Sequence, residues 1–469
     1  MKTKLTKILA TLSDQRCEPE FIESLYDAGM DLVRVNTAHQ TTESLRNLVG
    51  NVRQVSDKIA VMVDTKGPEI RTSSSGEEVE VQKGEAIKLK GPGDSGSNQL
   101  CVNYEGIVST LEPGNIVMID DGDIALKVTE KHSDYLLCEA LNSGTIARRK
   151  SVNLPGVAVD LPSLNHRDID FIQLAMELDL EFIAHSFVRN KEDVLAIQNI
   201  LDQHNSQIKI IAKIENQQGV DNLKEILPHV YGVMVARGDL AIEIPAEQIP
   251  VIQRNIVEMC ISNRKAVIVA TQMLHTMINH PRPTRAEVTD IANAVFSGTD
   301  AIMLSGETAY GAYPVEAVKI MSRTAMTAEA STDFNENRQI SPHNNQVSGF
   351  LAKTSVRAVA RLNAKGIIAD TDTGKTARYL SAFRGTCPIH MQCYNERVMR
   401  ELSLIYGVYA DLITVETSKK EFIQHTLIRL MDKEAVTMDD IVVVLAGNFG
   451  KKAGPSFVEV GTVNNLMMP

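Results

Sequence analysis

The stretch QIKIIAKIENQQGV runs from Gln207 to Val220, and GVMVARGDLAIEIP follows from Gly232 to Pro245. Each begins as an apolar run of strand length and ends in charge. Lys213 and Glu215 close the first, and Arg237 and Asp239 close the second. An ionisable group costs several kcal/mol to bury unpaired, so two buried strands that both finish this way need a reason.

Runs of the same kind recur from the N-terminus to about residue 310: TKILATLSD, DLVRVNTAH, IAVMVDTKG, LEFIAHSFVR, IKIIAKIEN, GVMVARGDL, AVIVATQML and DAIMLSGET. Each of the eight is almost continuously apolar, as parallel strands buried on both faces are. Between them lie segments of helical period. Asn165 can cap one helix with Asp168 at its third position, ahead of Ile169, Ile172 and Met176. Thr284 and Glu287 form a capping box before Val288, Ile291, Ala292 and Val295, with Gly298 as the stop. Alternating strand and helix units in this number predict an α/β fold, a (β/α)8 TIM barrel. Active sites of such barrels sit at the C-terminal strand ends, so charged ends on several strands converge on one mouth. Lys213 and Glu215 are two apart and point the same way, toward each other or a ligand.

Two regions break the repeat. After Arg71, Gly and Ser turns and period-2 alternation (Val79/Val81, Ile87/Leu89) read as an inserted all-β lid domain, with more strands in IVMIDDGDIALKVTE. Beyond the polar stretch STDFNENRQISPHNNQ, the runs KGIIAD, CPIHMQCY, DLITVE and DIVVVLAG alternate with helical segments, as in a doubly wound α/β domain. The expected division is a barrel over 1–67 and 163–333, the lid over 68–162 and the C-terminal domain over 334–469.

Three domains suit 469 residues at about 150 residues each. A net charge of −11 argues against nucleic acid or an anionic membrane surface as partner. The six cysteines are scattered with no C-x-x-C pair and read as reduced core thiols of a cytoplasmic protein. The apolar run in MKTKLTKILATLSD is too short for a signal peptide, and no segment has the ~20 apolar residues of a membrane span.

Glu215 and Asp239 end neighbouring strands, and two converging carboxylates repel unless a cation lies between them. Hard oxygen ligands favour Mg²⁺ or Mn²⁺. Plain ion pairs, Glu215 with Lys213 and Asp239 with Arg237, are the structural alternative of equal weight. Arg34, Arg71 and Lys150 are further cations near strand ends or in the insertion; each taken singly reads as a solvated charge. DTKGPEIR gathers Asp64, Lys66, Glu69 and Arg71 around a Gly-Pro turn. Thr271 and Ser305 end the last two strands, where a hydroxyl can relay a proton, bind a carboxylate or simply cap the strand. His39, His185 and His275 also follow strand ends, where lone histidines are more often structural.

DTKGPEIR, KIEN, VARGDLAIEIP, ATQML, RPTRAEVTDIANAV and MLSGETAYGAYPVEAV, with RVNTAH, IDDG and VNLPG, resemble the pyruvate kinase family in order and spacing over essentially the whole chain. The resemblance implies phosphoryl transfer from phosphoenolpyruvate to ADP, giving pyruvate and ATP. It implies that Lys213 stabilises the phosphoryl group and the enolate, and that Glu215 and Asp239 hold the divalent metal. It gives the substrate carboxylate to the Gly238 backbone and Thr271, and a proton relay to Thr271. Ser305 joins the substrate residues, and Arg34 contacts phosphate. Asn36, His39, Arg71 and Lys150 fall to the nucleotide with Arg34. A K⁺ site would use Asn36, Asp64 and Thr65, weakened because Ala38 stands where the family has a serine. Glu69 occupies a position that is Glu in K⁺-dependent members. An effector phosphate would bind DTDTGKTAR through Thr371, Thr373, Gly374, Lys375 and Thr376, residues that a plain helix cap would equally use. Members are usually homotetramers.

The chain departs from the family pattern at TLSD, NTAHQ, ARRKS and QMLHT, the last bringing His275 and Thr276. Two other classes remain open. A metal-dependent lyase or mutase acting on pyruvate-like enolates would share the Lys–Glu–Asp mouth but need no nucleotide lid. A catalytically silent metabolite sensor would not need Lys213 and both carboxylates.

Overall fold

A computed structural model describes residues 3–332, 335, 338, 340–341, 346–413, 418–447 and 454–468; the His39 side chain is outside this set. Eight parallel strands close into a barrel: Lys7–Leu12, Leu32–Asn36, Ala60–Asp64, Phe182–His185, Lys209–Ile214, Gly232–Ala236, Ala266–Ala270 and Ala301–Leu304. The eight expected runs are these strands. Alternate residues serve two cores. Ile183, Ala212, Ile214, Val233 and Val235 pack outward with the helices, while Leu9, Leu32, Ala184, Ile211, Met234 and Ile268 fill the barrel. Both capping boxes form, at Asn165/Asp168 and Thr284/Glu287, and Gly298 ends its helix in the left-handed region at φ 84°.

Between the third and fourth barrel strands the chain leaves to build a seven-stranded sheet and a two-stranded one, with their own apolar core around Ile87, Leu89, Leu126 and Leu136. The C-terminal domain is a five-stranded sheet in the order Val408–Leu412, Ile389–Cys393, Gly366–Thr371, Ile441–Gly447, Pro455–Thr462. Two details differ from the sequence reading. The run DLITVE enters its strand only with Asp411 and Leu412, because pairing with Ile389–Cys393 starts at Val408, just after Gly407 at φ 72°. The residues 414–416 of that run lie outside the described set, as does most of the polar stretch 331–346. The edge strand Pro455–Thr462, antiparallel and half-exposed, had no apolar run to announce it.

The C-terminal domain is tied to the N-terminal end of the barrel by buried polar contacts. Glu181, fully buried, accepts from Arg53, from Arg400 at 2.5 Å and from the Val61 N–H at 2.7 Å. Arg384 binds Asp300 at 2.7 Å and the Gly298 carbonyl at 2.7 Å. No helix among the described residues is long and apolar enough to cross a membrane.

Candidate active site

The C-terminal ends of the barrel strands bring the charged residues together. Lys213 Nζ lies 3.0 Å from Asp64 Oδ1, 3.0 Å from Glu215 Oε1 and 2.7 Å from Ser186 Oγ. Arg34 also binds Asp64, at 2.6 Å through Nε, and reaches Thr11 Oγ1 at 3.1 Å. Asp64 and Glu215 are almost completely buried. Arg34 is therefore a paired, partly buried cation and not a solvated one.

Electrostatics separates these carboxylates. Burial would raise the Asp64 pKa, but Arg34 and Lys213 outweigh it and hold the carboxyl below its usual range. Glu215 goes the other way. Burial, opposed by Lys213 and reinforced by the negative charges of Asp239 and Asp64, pushes it up to about 7. Asp239 is also raised, by burial against the pull of Lys213 and with repulsion from Asp121 on the lid. Burial would lower the Lys213 ammonium, yet Asp64 and Glu215 hold it above its ordinary value.

One ion-pair alternative holds and the other does not. Lys213 and Glu215 pair. Arg237 does not pair with Asp239, because its guanidinium turns to Asp290 at 2.7 Å and to the Thr271 and Ala270 carbonyls. Asp239 is not at a strand end but in the first turn of the short helix Arg237–Glu243. Two carboxylates with raised pKa values, the buried Glu215 and the half-buried Asp239, fit a divalent cation of hard character. No cluster of three or more His, Cys, Asp or Glu suited to a metal exists among the described residues, so further ligands would come from water and substrate.

Thr271 accepts the Gly238 N–H at 2.9 Å and donates to the Ala270 carbonyl at 2.6 Å. Its φ is 70°, a strained conformation for a β-branched residue. Ser305 follows the last strand, and its N–H donates to Glu307 at 2.7 Å. Asn36 Oδ1 accepts the Ala38 N–H, and the Thr65 carbonyl accepts from Ser186 Oγ at 2.6 Å. Arg71 and Lys150 belong to the lid. Arg71 forks onto Glu69, and Lys150 pairs with Asp120 at 2.7 Å; among the described residues neither makes an ion pair at the barrel mouth. His185 is fully buried with the backbone of Asp193 beside its ring, and His275 is exposed on a 3₁₀ turn.

Ser186 was not foreseen. It stands just past an apolar run, where the rule that found Lys213 would also have found it. The mouth carries lysine, arginine and paired carboxylates beside the inserted β domain. The family description "Pyruvate kinase, barrel domain" matches residues 3–318, and "Pyruvate kinase, alpha/beta domain" matches residues 350–460. The chain belongs to the pyruvate kinase family. A pyruvate kinase of Borreliella burgdorferi is 44% identical over 472 residues, covering 100% of this chain and 99% of that protein. One from Sporosarcina psychrophila is 38% identical, covering 98% of this chain and 81% of the relative. A crystal structure of a pyruvate kinase from Cryptosporidium parvum superposes with a TM-score of 0.93 at 34% identity, covering 98% of this chain and 96% of that one.

Proposed function

We propose that the chain transfers the phosphoryl group of phosphoenolpyruvate to ADP, giving pyruvate and ATP, as its family membership implies. The observation that carries the residue roles is the Lys213 ammonium held between Asp64 and Glu215 at 3.0 Å each. In this reading the Gly238 N–H and the Thr271 hydroxyl turn from each other to the substrate carboxylate, with Ser305 beside them. Arg34 faces the phosphate. Glu215 and Asp239 hold Mg²⁺ or Mn²⁺, which when bound neutralises carboxylate and phosphate oxygens. The Lys213 ammonium, paired with Glu215 and Asp64, turns toward the transferring group and then the enolate oxygen. The P–O bond to the enolate breaks as the ADP oxygen bonds to phosphorus, and the enolate carbon takes a proton through a relay that includes Thr271. Phosphoryl transfer asks for position and charge neutralisation above all, and these groups supply both. The lid, carrying Arg71 and Lys150, covers the nucleotide with Asn36 and His39 and excludes water.

K⁺ is held by Asn36, Asp64 and the Thr65 carbonyl, all oxygen donors. An anionic effector binds Thr371, Thr373, Gly374, Lys375 and Thr376. In support, Gly374 at φ 72° starts the helix Lys375–Ala382, and this loop lines a cavity of about 1000 Å³ with Lys209, Arg264 and Lys265 of the barrel. The assembly is a homotetramer, which sedimentation tests. A pyruvate-release assay with phosphoenolpyruvate, Mg²⁺ and each nucleoside diphosphate tests the activity. Release without a nucleoside diphosphate would favour a lyase, and none at all a sensor. Lys375→Glu with unchanged responses to sugar phosphates and nucleoside monophosphates would remove the effector site.

A further inference from the structure

The loop Ser186–Asn190 follows the fourth barrel strand and touches both chain crossings between barrel and lid. On the outward crossing, Ser186 Oγ donates to the Thr65 carbonyl and the Ser186 N–H to Thr65 Oγ1 at 3.1 Å. Gly67, at φ 71°, sits so close that a Cβ there would stand 2.9 Å from both Ser186 Cβ and the Phe187 ring. On the return crossing, Arg189 donates through Nη1 to the Val159 carbonyl and through Nη2 to the Leu161 carbonyl, each at 2.8 Å.

Arg189 is fixed in the barrel frame. Its Nε and Nη2 fork onto Asp193 at 3.0 and 2.9 Å, and its own N–H donates to the same carboxylate at 2.9 Å. Asp193 is buried in the first turn of the helix Lys191–Gln203. The same short loop also holds the catalytic groups. Ser186 Oγ accepts from Lys213, and the Phe187 N–H donates to Glu215 Oε2 at 2.7 Å. Phe187 is held at φ 54°, a conformation an aromatic residue keeps only when its surroundings impose it. Beside the return crossing lies a cavity of about 290 Å³, lined by Gly156, Val159, Phe187, Arg189, Asp239 and Glu243, which gives the crossing room to shift.

We propose that Arg189 is a positioning residue: by latching the return crossing to the Ser186–Asn190 loop, it couples the posture of the lid to the orientation of Lys213 and Glu215. The coupling rests on reading those two as catalytic and metal-binding. A lid swing pulls on the Val159 and Leu161 carbonyls, the pull passes through the guanidinium to the loop, and the loop carries the donor and acceptor that aim Glu215 and Lys213.

Arg189→Lys tests it. A lysine keeps a positive charge beside Asp193, but one ammonium cannot serve the carboxylate and both carbonyls in the planar arrangement of the fork. The thermal midpoint should stay close to the parent's, while amide exchange over residues 155–162 rises about tenfold. The Mg²⁺ half-saturation should rise about fivefold, and a larger share of phosphoenolpyruvate should be hydrolysed without ATP formation. Should the lysine variant fail to fold, Arg189→Gln with Asp193→Asn removes the charge pair together and is read the same way. Unchanged exchange over 155–162 would overturn the latch. Faster exchange with unchanged Mg²⁺ half-saturation and hydrolysed share would overturn the coupling and leave Arg189 purely structural. Glu215→Gln is the separate control: if it leaves the Mg²⁺ titration unmoved, the reading of the site fails and the coupling with it, while exchange alone still decides the latch.

Discussion

Lys213 Nζ stands 3.0 Å from Glu215 Oε1, with Asp64 Oδ1 also at 3.0 Å and Ser186 Oγ at 2.7 Å, so the ammonium is closely surrounded by three oxygens. A substrate oxygen must take the place of one of them. Lys213→Met removes the donor and leaves two buried carboxylates without their shared cation. Phosphoryl transfer should fall by at least ~10³-fold while substrate still binds. Steady-state turnover, with substrate protection against proteolysis as the binding check, decides it; turnover within tenfold of the parent would refute the role.

Glu215 and Asp239 repel each other and share one ammonium, Lys213, so a divalent cation would relieve both. Glu215→Ala and Asp239→Ala should each raise the Mg²⁺ concentration for half-maximal velocity by at least ~10-fold. Titrations of both variants that overlay the parent's would move the metal site elsewhere.

The barrel was legible because each strand is buried on both faces and writes itself as an apolar run, and the charged ends named the mouth. What stayed hidden depends on pairing across long stretches of chain. Nothing near Glu181 in sequence says that Arg400, 219 positions away, will close on it. The edge strand Pro455–Thr462 is half-solvated and so carries no continuous apolar run. Asp239 looked like a strand end because the helix Arg237–Glu243 begins directly after Ala236 with no loop between, so that Gly238 falls inside the helix and not in a turn. The pairing of Arg237 with Asp290 needs the geometry of two neighbouring barrel units, which spacing alone does not give.

Two buried histidines set an acid limit on stability. Burial, only partly offset by Asp193, pulls His185 down to about 4, and burial does the same to His390 against the pull of Asp411. A histidine whose folded pKa lies below its unfolded value is neutral in the fold, so the unfolded chain gains protons first as pH falls. Stability is therefore intact above about pH 6.5 and is lost progressively from there toward pH 4, with ~2 kcal/mol lost per histidine at pH 5. Unfolding of His185→Ala and His390→Ala at pH 7 and pH 5 measures it. Each variant should be less stable than the parent at pH 7 yet lose about 2 kcal/mol less than the parent between the two pH values. An equal loss in parent and variants would assign the acid sensitivity to other groups.

Potassium is the finest of these tests, because the donors of its site already have partners. Asn36 Oδ1 accepts the Ala38 N–H, Asp64 is shared by Arg34, Lys213 and Ser186, and the Thr65 carbonyl accepts from Ser186. The Asn36 and Thr65 oxygens each keep a second lone pair, but both Asp64 oxygens already face two donors, so a monovalent cation is accommodated only in competition with Arg34, Lys213 and Ser186. Ala38 offers no hydroxyl, and water must supply that ligand. Glu69, whose charge would favour a cation, is already forked by Arg71 at 2.9 and 3.0 Å, so its field is largely neutralised. K⁺ should therefore activate the enzyme but bind weakly. Ala38→Ser should lower the K⁺ concentration for half-activation severalfold, since a fixed hydroxyl replaces a water that must be immobilised. The measurement is velocity against K⁺ at constant ionic strength, balanced with a bulky organic cation. Full activity without K⁺ would mean that Arg34 and Lys213, both already on Asp64, supply all the positive charge the transferring phosphate needs.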